Sequence, residues 1–128
     1  MDDVRKKTSC EIETAVCQAA DRFAREYLGW SPWTTRAYLR NDLLVVRLQG
    51  VLSPAEARLL ATSGRGRDLV KEMRTNLVEM ARPILSAVVE EIIGVKVLSL
   101  HHDLSTVTGE EVIIFTLAEV PSLLTSRK

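Results

Sequence analysis

Near the start of the chain, apolar residues recur every three or four positions, which is the spacing of an amphipathic helix. Thr8 and Glu11 stand three apart just before this pattern, as in a capping box that closes the first turn of a helix. The apolar positions are Ile12, Val16, Ala20, Phe23 and Tyr27. Gly29 follows them, so the sequence predicts a first helix that ends there.

The pattern then changes to a period of two, which is typical of a strand. Residues 32–40 alternate between apolar and polar side chains, whereas residues 43–51 are apolar on both faces. Asn41 and Asp42 form a plausible tight turn between them. We therefore predict a hairpin whose first strand lies at a sheet edge and whose second strand lies inside the sheet.

The second half repeats the succession of helix and hairpin. Ser53 and Glu56 form another capping box, which predicts a short helix to about residue 62, and residues 63–67 break the chain. A long helix is expected from Asp68, with Pro83 favouring a kink. Its predicted buried stripe is Val70, Met73, Leu77, Met80, Ile84, Val88 and Ile92. Residues 95–104 and 111–117 predict the second hairpin, whose second strand is again apolar on both faces.

Two hairpins with doubly apolar second strands should pair through those strands. The predicted fold class is α+β, with one four-stranded antiparallel or mixed sheet and helices on one face. If the other face carries apolar residues, another subunit must cover it, and we expect a homodimer. The apolar residues considered for that face are Leu43, Val45, Phe115 and Leu117.

The bulk properties restrict the class of protein. The 128 residues fit a single domain, with an ordered core over about residues 9–118 and flexible ends. Seventeen basic residues balance seventeen acidic ones, so no global field favours nucleic acid. No apolar stretch is long enough for a membrane span, and the start lacks the apolar core of a secretory signal. We therefore expect a cytoplasmic protein with no nucleic-acid partner and no membrane insertion.

The most concentrated polar chemistry lies in the second hairpin. His101 and Asp103 fall on the same strand face, where they could form an acid–base pair or contribute two metal ligands. Ser105, Thr106 and Thr108 could bind an anion or cap backbone groups of the loop. Ordinary hairpin hydrogen bonds and contacts with a ligand or a partner remain alternatives. No catalytic triad or zinc ligand set is complete, so we predict no catalytic residue, no metal site and no cofactor.

Arginine and tryptophan side chains add two weaker hypotheses. Arg65 and Arg67 lie in a Gly-Arg-Gly-Arg loop before a helix and could receive a phosphate or carboxylate there, although a solvated loop is the simpler interpretation. The aromatic and basic group could stack nucleic-acid bases, but the balanced charge favours core anchoring or a protein partner surface. This group comprises Trp30, Trp33, Arg36, Tyr38 and Arg40. Cys10 and Cys17 lie too far apart along one helix for a disulfide.

Several ordered stretches resemble the small bacterial MpsC-like family. They are DLLVVRLQGVLSPAE (residues 42–56), GRDLVK (66–71), ARP (81–83), GVKV (94–97), HHDLST (101–106) and TGE (108–110). The resemblance covers about residues 9–118. It implies a soluble protein associated with a system named for sodium translocation and membrane-potential generation, tied elsewhere to inorganic-carbon uptake. Where relatives tend to carry Gly-Arg/Lys-Gly-Pro, this chain has Gly29-Trp30-Ser31-Pro32, which favours a partner surface at the tryptophans.

The combined hypothesis is a non-enzymatic, homodimeric protein with an accessory or regulatory function. Its partner would be a membrane system that transports cations or inorganic carbon, or another cytosolic protein. The alternative is a small-molecule or anion-binding domain, conceivably an enzyme. Its site would lie at the loop between His101 and Thr108, with Arg47 or Arg67 contributing.

Overall fold

A computed structural model describes residues 6–62 and 64–124 of the chain. The helices are α1 (Ser9–Phe23), α2 (Pro54–Thr62) and α3 (Gly66–Ile93), and a π-helical turn over Ala24–Leu28 extends α1. The strands are β1 (Thr34–Arg40), β2 (Leu43–Gln49), β3 (Val97–Ser105) and β4 (Glu110–Leu117). Of the predicted flexible ends, residues 1–5 and 125–128 lie outside the described residues. In the described part of these ends, the Leu124 N–H donates to the Lys7 carbonyl at 2.9 Å.

The starts of α1 and α2 are those that the sequence predicts, whereas α3 begins at Gly66, two residues before the predicted Asp68. The Thr8 hydroxyl accepts a hydrogen bond from the Glu11 N–H at 3.1 Å, and the Glu11 carboxylate accepts one from the Thr8 N–H at 2.9 Å. Ser53 and Glu56 make the same reciprocal pair, at 3.2 and 2.8 Å. Gly29 ends the first helical segment in the left-handed conformation, with φ of 74°. The two capping boxes and this end are confirmed.

The two hairpins join into one antiparallel sheet with the strand order β1-β2-β4-β3. The doubly apolar strands β2 and β4 are the central pair, with Val46 opposite Ile113. Asn41 adopts a left-handed φ of 57° in the turn between β1 and β2. The α+β class, the single sheet and the pairing of the inner strands are therefore confirmed.

Helices α1 and α3 cover one face of this sheet. Buried side chains alternate along β2 and β4, and they pack with the buried sides of the helices. The sheet contributes Leu44, Val46, Leu48, Ile113, Phe115 and Leu117 to this core. Phe115 and Leu117 thus belong to the helix-covered face, and Val112 and Ile114 of β4 lie on the other face instead.

The predicted buried stripe of α3 is confirmed at Val70, and after that residue it is wrong by one position. Met73, Met80 and Ile84 are 44%, 76% and 48% exposed. The buried residues are Gly66, Val70, Arg74, Val78, Ala81, Val89 and Ile93. Small and β-branched side chains let the helix approach the sheet closely, and the only long member, Arg74, has ionic partners inside. The sequence pattern favoured the row that contains Met73, Met80 and Ile84 because that row has no charged residue. The helix continues through Pro83.

Side chains of α1 occupy the outer edge of β1. The Glu13 carboxylate accepts a hydrogen bond from the Leu39 N–H at 2.8 Å, and the Cys17 thiol donates to the Thr35 carbonyl at 3.5 Å. These are backbone groups that an edge strand otherwise offers to a foreign strand. Cys10 and Cys17 are free thiols, as predicted.

Cationic side chains of α3 occupy the outer edge of β3 in the same way. The Lys71 ammonium donates to the Leu104 carbonyl at 3.0 Å, and the Arg82 guanidinium donates to the Leu100 carbonyl at 3.1 Å. A register irregularity between Val97 and Ser99 further disturbs this edge. Both edges of the sheet are therefore engaged by the chain's own helices.

Across the described residues, no helix combines the length and apolar character needed to cross a bilayer.

Candidate functional site

The polar loop between β3 and β4 is a hydrogen-bonded turn. The Ser105 hydroxyl accepts from the Thr108 N–H at 3.2 Å, and the Ser105 carbonyl accepts from the Gly109 N–H at 2.9 Å. Thr106 is half-buried in the same turn. The Ser105 side chain thus caps the backbone of the loop at Thr108, which is the capping alternative considered from the sequence.

His101 and Asp103 lie on the same face of β3, as their spacing indicates, and both are exposed. His101 Nε2 lies 3.2 Å from the Ser99 hydroxyl. One Asp103 carboxylate oxygen lies 3.1 Å from the Lys71 ammonium. Each side chain thus has a neighbour of its own. Among the described residues, no three His, Cys, Asp or Glu side chains form a group that could hold a metal ion.

Arg47 and Arg67, the two arginines considered for a site at the hairpin loop, lie on different elements. Arg47 is on β2, where its Nε lies 2.5 Å from a carboxylate oxygen of Glu110 on β4. Arg67 is exposed in the first turn of α3. Arg47 therefore already binds a carboxylate from within the chain.

The aromatic and basic residues of the partner-surface hypothesis surround the start of β1. Trp33 is 82% exposed, and its N–H donates to the Gln49 carbonyl at 2.7 Å. Its ring lies over Gly50, where an added Cβ would fall 2.2 Å from Cδ2 of the indole. Trp30 is half-buried, whereas Arg36 and Tyr38 project from the exposed face of β1.

This exposed surface continues across the whole sheet, opposite the helices, and we call it the open face. Its side chains form four rows across β1, β2, β4 and β3, of which the first is Thr34, Gln49, Glu110 and Ser105 and the other three carry the charged and apolar groups discussed below. These three rows are Arg36, Arg47, Val112 and Asp103; Tyr38, Val45, Ile114 and His101; and Arg40, Leu43, Thr116 and Ser99. The centre is apolar, and its members are half-buried or exposed in the single chain.

A buried ionic cluster lies between the helices and the other face of the sheet. The Arg74 side chain is 1% exposed, and its guanidinium binds both carboxylate oxygens of Glu56, at 2.7 and 2.8 Å. It also donates to the Val51 carbonyl at 2.5 Å. Arg74 thus joins α2 and the chain after β2 to α3.

Glu111 of β4 is the second carboxylate near this guanidinium, and its side chain is 1% exposed. One of its oxygens lies 3.5 Å from Nη1 of Arg74. The other has no hydrogen-bond partner and lies 3.9 Å from Nδ1 of His102. Burial raises the pKa of Glu111 from 4.5 to about 7, although the nearby Arg74 charge acts to lower it.

His102 connects this cluster to the protein surface. Its Nε2 lies 3.0 Å from a carboxylate oxygen of Glu79, which Arg82 also binds at 2.7 Å. Hydrogen bonds from Arg82 and then from His102 hold the pKa of Glu79 at about 2. The cluster therefore contains a carboxyl group that exchanges a proton near neutral pH, beside a chain of polar groups that leads outward.

The sequence-based interpretation missed this cluster. Glu111 shares its strand face with Ile113 and Phe115, and Arg74 lies one helical turn from both Val70 and Val78. These spacings already indicate that both charged side chains lie in buried rows. The sequence-based interpretation instead placed the candidate site at the polar residues near the histidines of the second hairpin.

An apolar groove of about 100 Å³ lies between α1 and α3. Val16 and Phe23 line it from α1, and Leu85 and Val89 line it from α3. Small-molecule sites usually enclose at least about 300 Å³, so the groove is small for such a ligand.

The fold and its surfaces define a small α+β domain, with helices on one face of a four-stranded antiparallel sheet and an open face on the other. The chain belongs to the MpsC family, since the family model described as "Na+-translocating membrane potential-generating system (MpsC)" matches residues 8–119. The uncharacterized protein YbcI of Bacillus subtilis (strain 168) is 34% identical over 112 residues, which span 88% of this chain and 90% of YbcI. No solved structure matches the chain.

Proposed function

We propose that this protein is a non-enzymatic accessory or regulatory module of a Na+-translocating, membrane potential-generating system, and that it acts in the cytoplasm as a homodimer. The printed description of the family supports the link to sodium translocation. The open face supports a function that depends on protein contacts.

The observation that carries the proposal is the apolar centre of the open face. Val45 of β2 and Ile114 of β4 lie side by side there, next to Tyr38, which is 44% exposed. An antiparallel sheet can leave one face in water, but that face is then usually polar. Contiguous apolar surface on a sheet is typical of a protein interface.

Two further observations favour protein contact over ligand binding at the hairpin loop. Ser105 is engaged in the loop's own hydrogen bonds through both its hydroxyl and its carbonyl. Side chains of α1 and α3 bind backbone groups at both edges of the sheet, so we expect a protein partner to bind the open face and not a strand edge.

The first experiment tests the dimer with one substitution on the open face. At micromolar concentration, light scattering should give twice the chain mass for the natural protein. Ile114→Lys should give a monomer, because it places a charge in the apolar centre. Val107→Lys is the matched control, since Val107 is 91% exposed in the loop outside the open face, and this variant should remain a dimer. A natural protein that is monomeric would contradict the proposal.

The second experiment tests the link to sodium transport in the protein's own host. Deleting the gene should reduce the Na+-dependent membrane potential that persists in the presence of a protonophore. The natural gene and Val107→Lys should restore it, whereas Ile114→Lys should not. An unchanged potential after deletion would contradict the association. Restoration by a folded, monomeric Ile114→Lys would show that the dimer is not required.

A further inference from the structure

The charges of the open face are divided between its two sides. Arg36 and Arg40 are exposed on β1, at one side of the sheet. Asp103 is exposed on β3, at the opposite side, and its side chain is 78% accessible even with Lys71 beside it. Arg36 and Asp103 belong to the same row, because Arg36 lies opposite Arg47, Arg47 opposite Val112, and Val112 opposite Asp103.

We propose that two copies of the chain pack open face to open face about a two-fold axis parallel to the strands, so that Arg36 of each copy pairs with Asp103 of the partner subunit. This inference rests on the proposed homodimer and adds its geometry and its specificity-determining residues.

The symmetry follows from how the rotation moves the strands. A half-turn about an axis that runs along the strands, midway between β2 and β4, places β1 over β3 of the second copy and β2 over β4. Positions along the strand direction do not change, so each row meets itself in reverse order. Arg36 therefore faces Asp103, and this contact occurs twice in the dimer.

The same operation buries the apolar centre. Val45 faces Ile114 of the partner subunit, and Tyr38 faces His101 of the partner subunit. Stacked sheets that pack in the aligned manner keep their strand directions within about 30° of each other. That angle preserves the apposition of Val45 and Ile114 on the inner strands, near the axis. On the outer strands it displaces Arg36 from Asp103 by a distance that the long Arg36 side chain can span.

A two-fold axis perpendicular to the strands in the sheet plane gives the opposite electrostatic result. It would place β1 over β1 of the partner subunit and reverse the order of the rows, so no arginine of β1 could meet Asp103 of β3. Where such an axis passes through the Tyr38 row, Arg36 would face Arg40 of the partner subunit. Like charges in direct apposition disfavour such a complex. Of the two axes, only the parallel one brings an arginine of β1 opposite Asp103, so the division of charge across the open face favours it.

Pairing through a sheet edge would compete with a face-to-face dimer, and the chain blocks it. Glu13 binds the outward N–H of Leu39 on β1, and Lys71 binds the outward carbonyl of Leu104 on β3. These groups are the ones a continuous intermolecular sheet would need.

The test uses Arg36→Glu and Asp103→Arg in separate chains. Each variant alone places two pairs of like charges in its own homodimer, and its dissociation constant at low salt should rise roughly tenfold or more. When the two variants are mixed, the introduced glutamate of one chain meets the introduced arginine of the other, and the natural Asp103 and Arg36 that remain also meet. The mixture should therefore form a heterodimer of nearly natural affinity, detectable by native mass spectrometry.

Arg40→Glu is the matched control because it reverses the same kind of charge on the same strand. Under the parallel axis Arg40 faces Ser99 of the partner subunit, so the affinity should change by less than about threefold. Circular dichroism should show that all three variants are folded.

Two results would overturn the proposal without contradicting the dimer. One is a natural dimer whose two charge-reversed variants fail to recover affinity when mixed, and the other is tighter dimerisation of Arg36→Glu or Arg40→Glu. A natural protein that stays monomeric would instead contradict the proposed function as well. Should Asp103→Arg fail to fold, the natural dimer must still weaken severalfold between about 50 mM and about 500 mM salt, and salt independence would overturn the proposal.

Discussion

At the residue scale, Glu111 couples proton binding to folding. Its carboxyl group is buried against an arginine that it contacts only at 3.5 Å, and its second oxygen has no hydrogen-bond partner. Desolvation disfavours the charged form, so the folded chain retains a proton that the unfolded chain releases. The charged groups that act on it are Arg74, Asp103, Glu56 and Lys71.

We expect the free energy of unfolding to fall as pH rises from 4.5 to about 7, the ordinary and folded pKa values of Glu111. Stability from a raised carboxyl pKa is fully present below the unfolded value and is lost as the pH rises through the folded value. The shift corresponds to at most about 3 kcal/mol. Urea unfolding at a series of pH values measures it.

Two variants separate Glu111 from the other carboxyl groups. Glu111→Gln cannot ionise, so its stability should vary little over this pH range and should exceed that of the natural protein at pH 8. Glu79→Gln should keep the fall, because the lowered pKa of Glu79 contributes stability that is lost only as pH falls toward about 2. A natural protein with constant stability between pH 4.5 and 8 would show that Glu111 does not titrate there.

Much of the residue-level chemistry could not be predicted from the sequence. Periodicity places Glu111 beside Ile113 and Phe115, but it does not show which charged group on another element will meet it. Arg74 reaches Glu56 and Glu111 only because α2 folds back against α3 and α3 packs on the sheet at β3, next to β4. Such pairs depend on tertiary placement, whereas the Ser105 turn depends on its neighbours in sequence alone.

At the element scale, local signals predicted more. Both capping boxes, the turn at Asn41 and the stop at Gly29 involve residues within a few positions of one another, and all four are present. The prediction of the buried stripe of α3 was wrong because apolar residues lie on more than half of the circumference of that helix. When several faces are apolar, the choice among them depends on how closely the helix approaches the sheet.

The loop that follows β2 gives an element-scale prediction. Gly50→Ala should destabilise the fold more than Gly29→Ala does. Both glycines have positive φ values, 71° and 74°, so alanine brings similar backbone strain of roughly 1 kcal/mol at each position. Only at Gly50 would the new Cβ collide with a side chain, the Trp33 ring.

Thermal unfolding of the two alanine variants measures the difference. The extra loss at Gly50 should disappear in the background Trp33→Ala, because that change removes the ring with which the Cβ collides. Equal losses at the two glycines would mean that Trp33 moves away from Gly50 at no cost.

At the scale of the whole molecule, sequence patterns predicted the sheet but not which residues of β4 lie on its open face. The doubly apolar character of β2 and β4 required both strands to be central, and they are. Which residues of β4 lie under the helices depends on the register with β2, where Val46 meets Ile113. That register assigns Ile114 to the open face and Phe115 to the core, and a shift by one residue would exchange them.

The proposed dimer makes the stability of the molecule depend on its concentration. If folding and dimerisation are linked, mass action favours the folded dimer as the chain becomes more concentrated. A hundredfold increase in concentration should raise the Tm by roughly 5 °C for a chain of this size. Differential scanning fluorimetry at several concentrations measures this dependence directly.

Variants of the open face test whether dimerisation through this face causes the dependence of Tm on concentration. Ile114→Lys should have a Tm that does not change with concentration, whereas Val107→Lys should follow the natural protein. At a given concentration Arg36→Glu and Asp103→Arg should each have a lower Tm than the natural protein, and mixing the two should restore it, since charge complementarity between copies is then restored. A natural protein whose Tm is independent of concentration would mean that the apolar centre of the open face contributes no folding stability through a second copy.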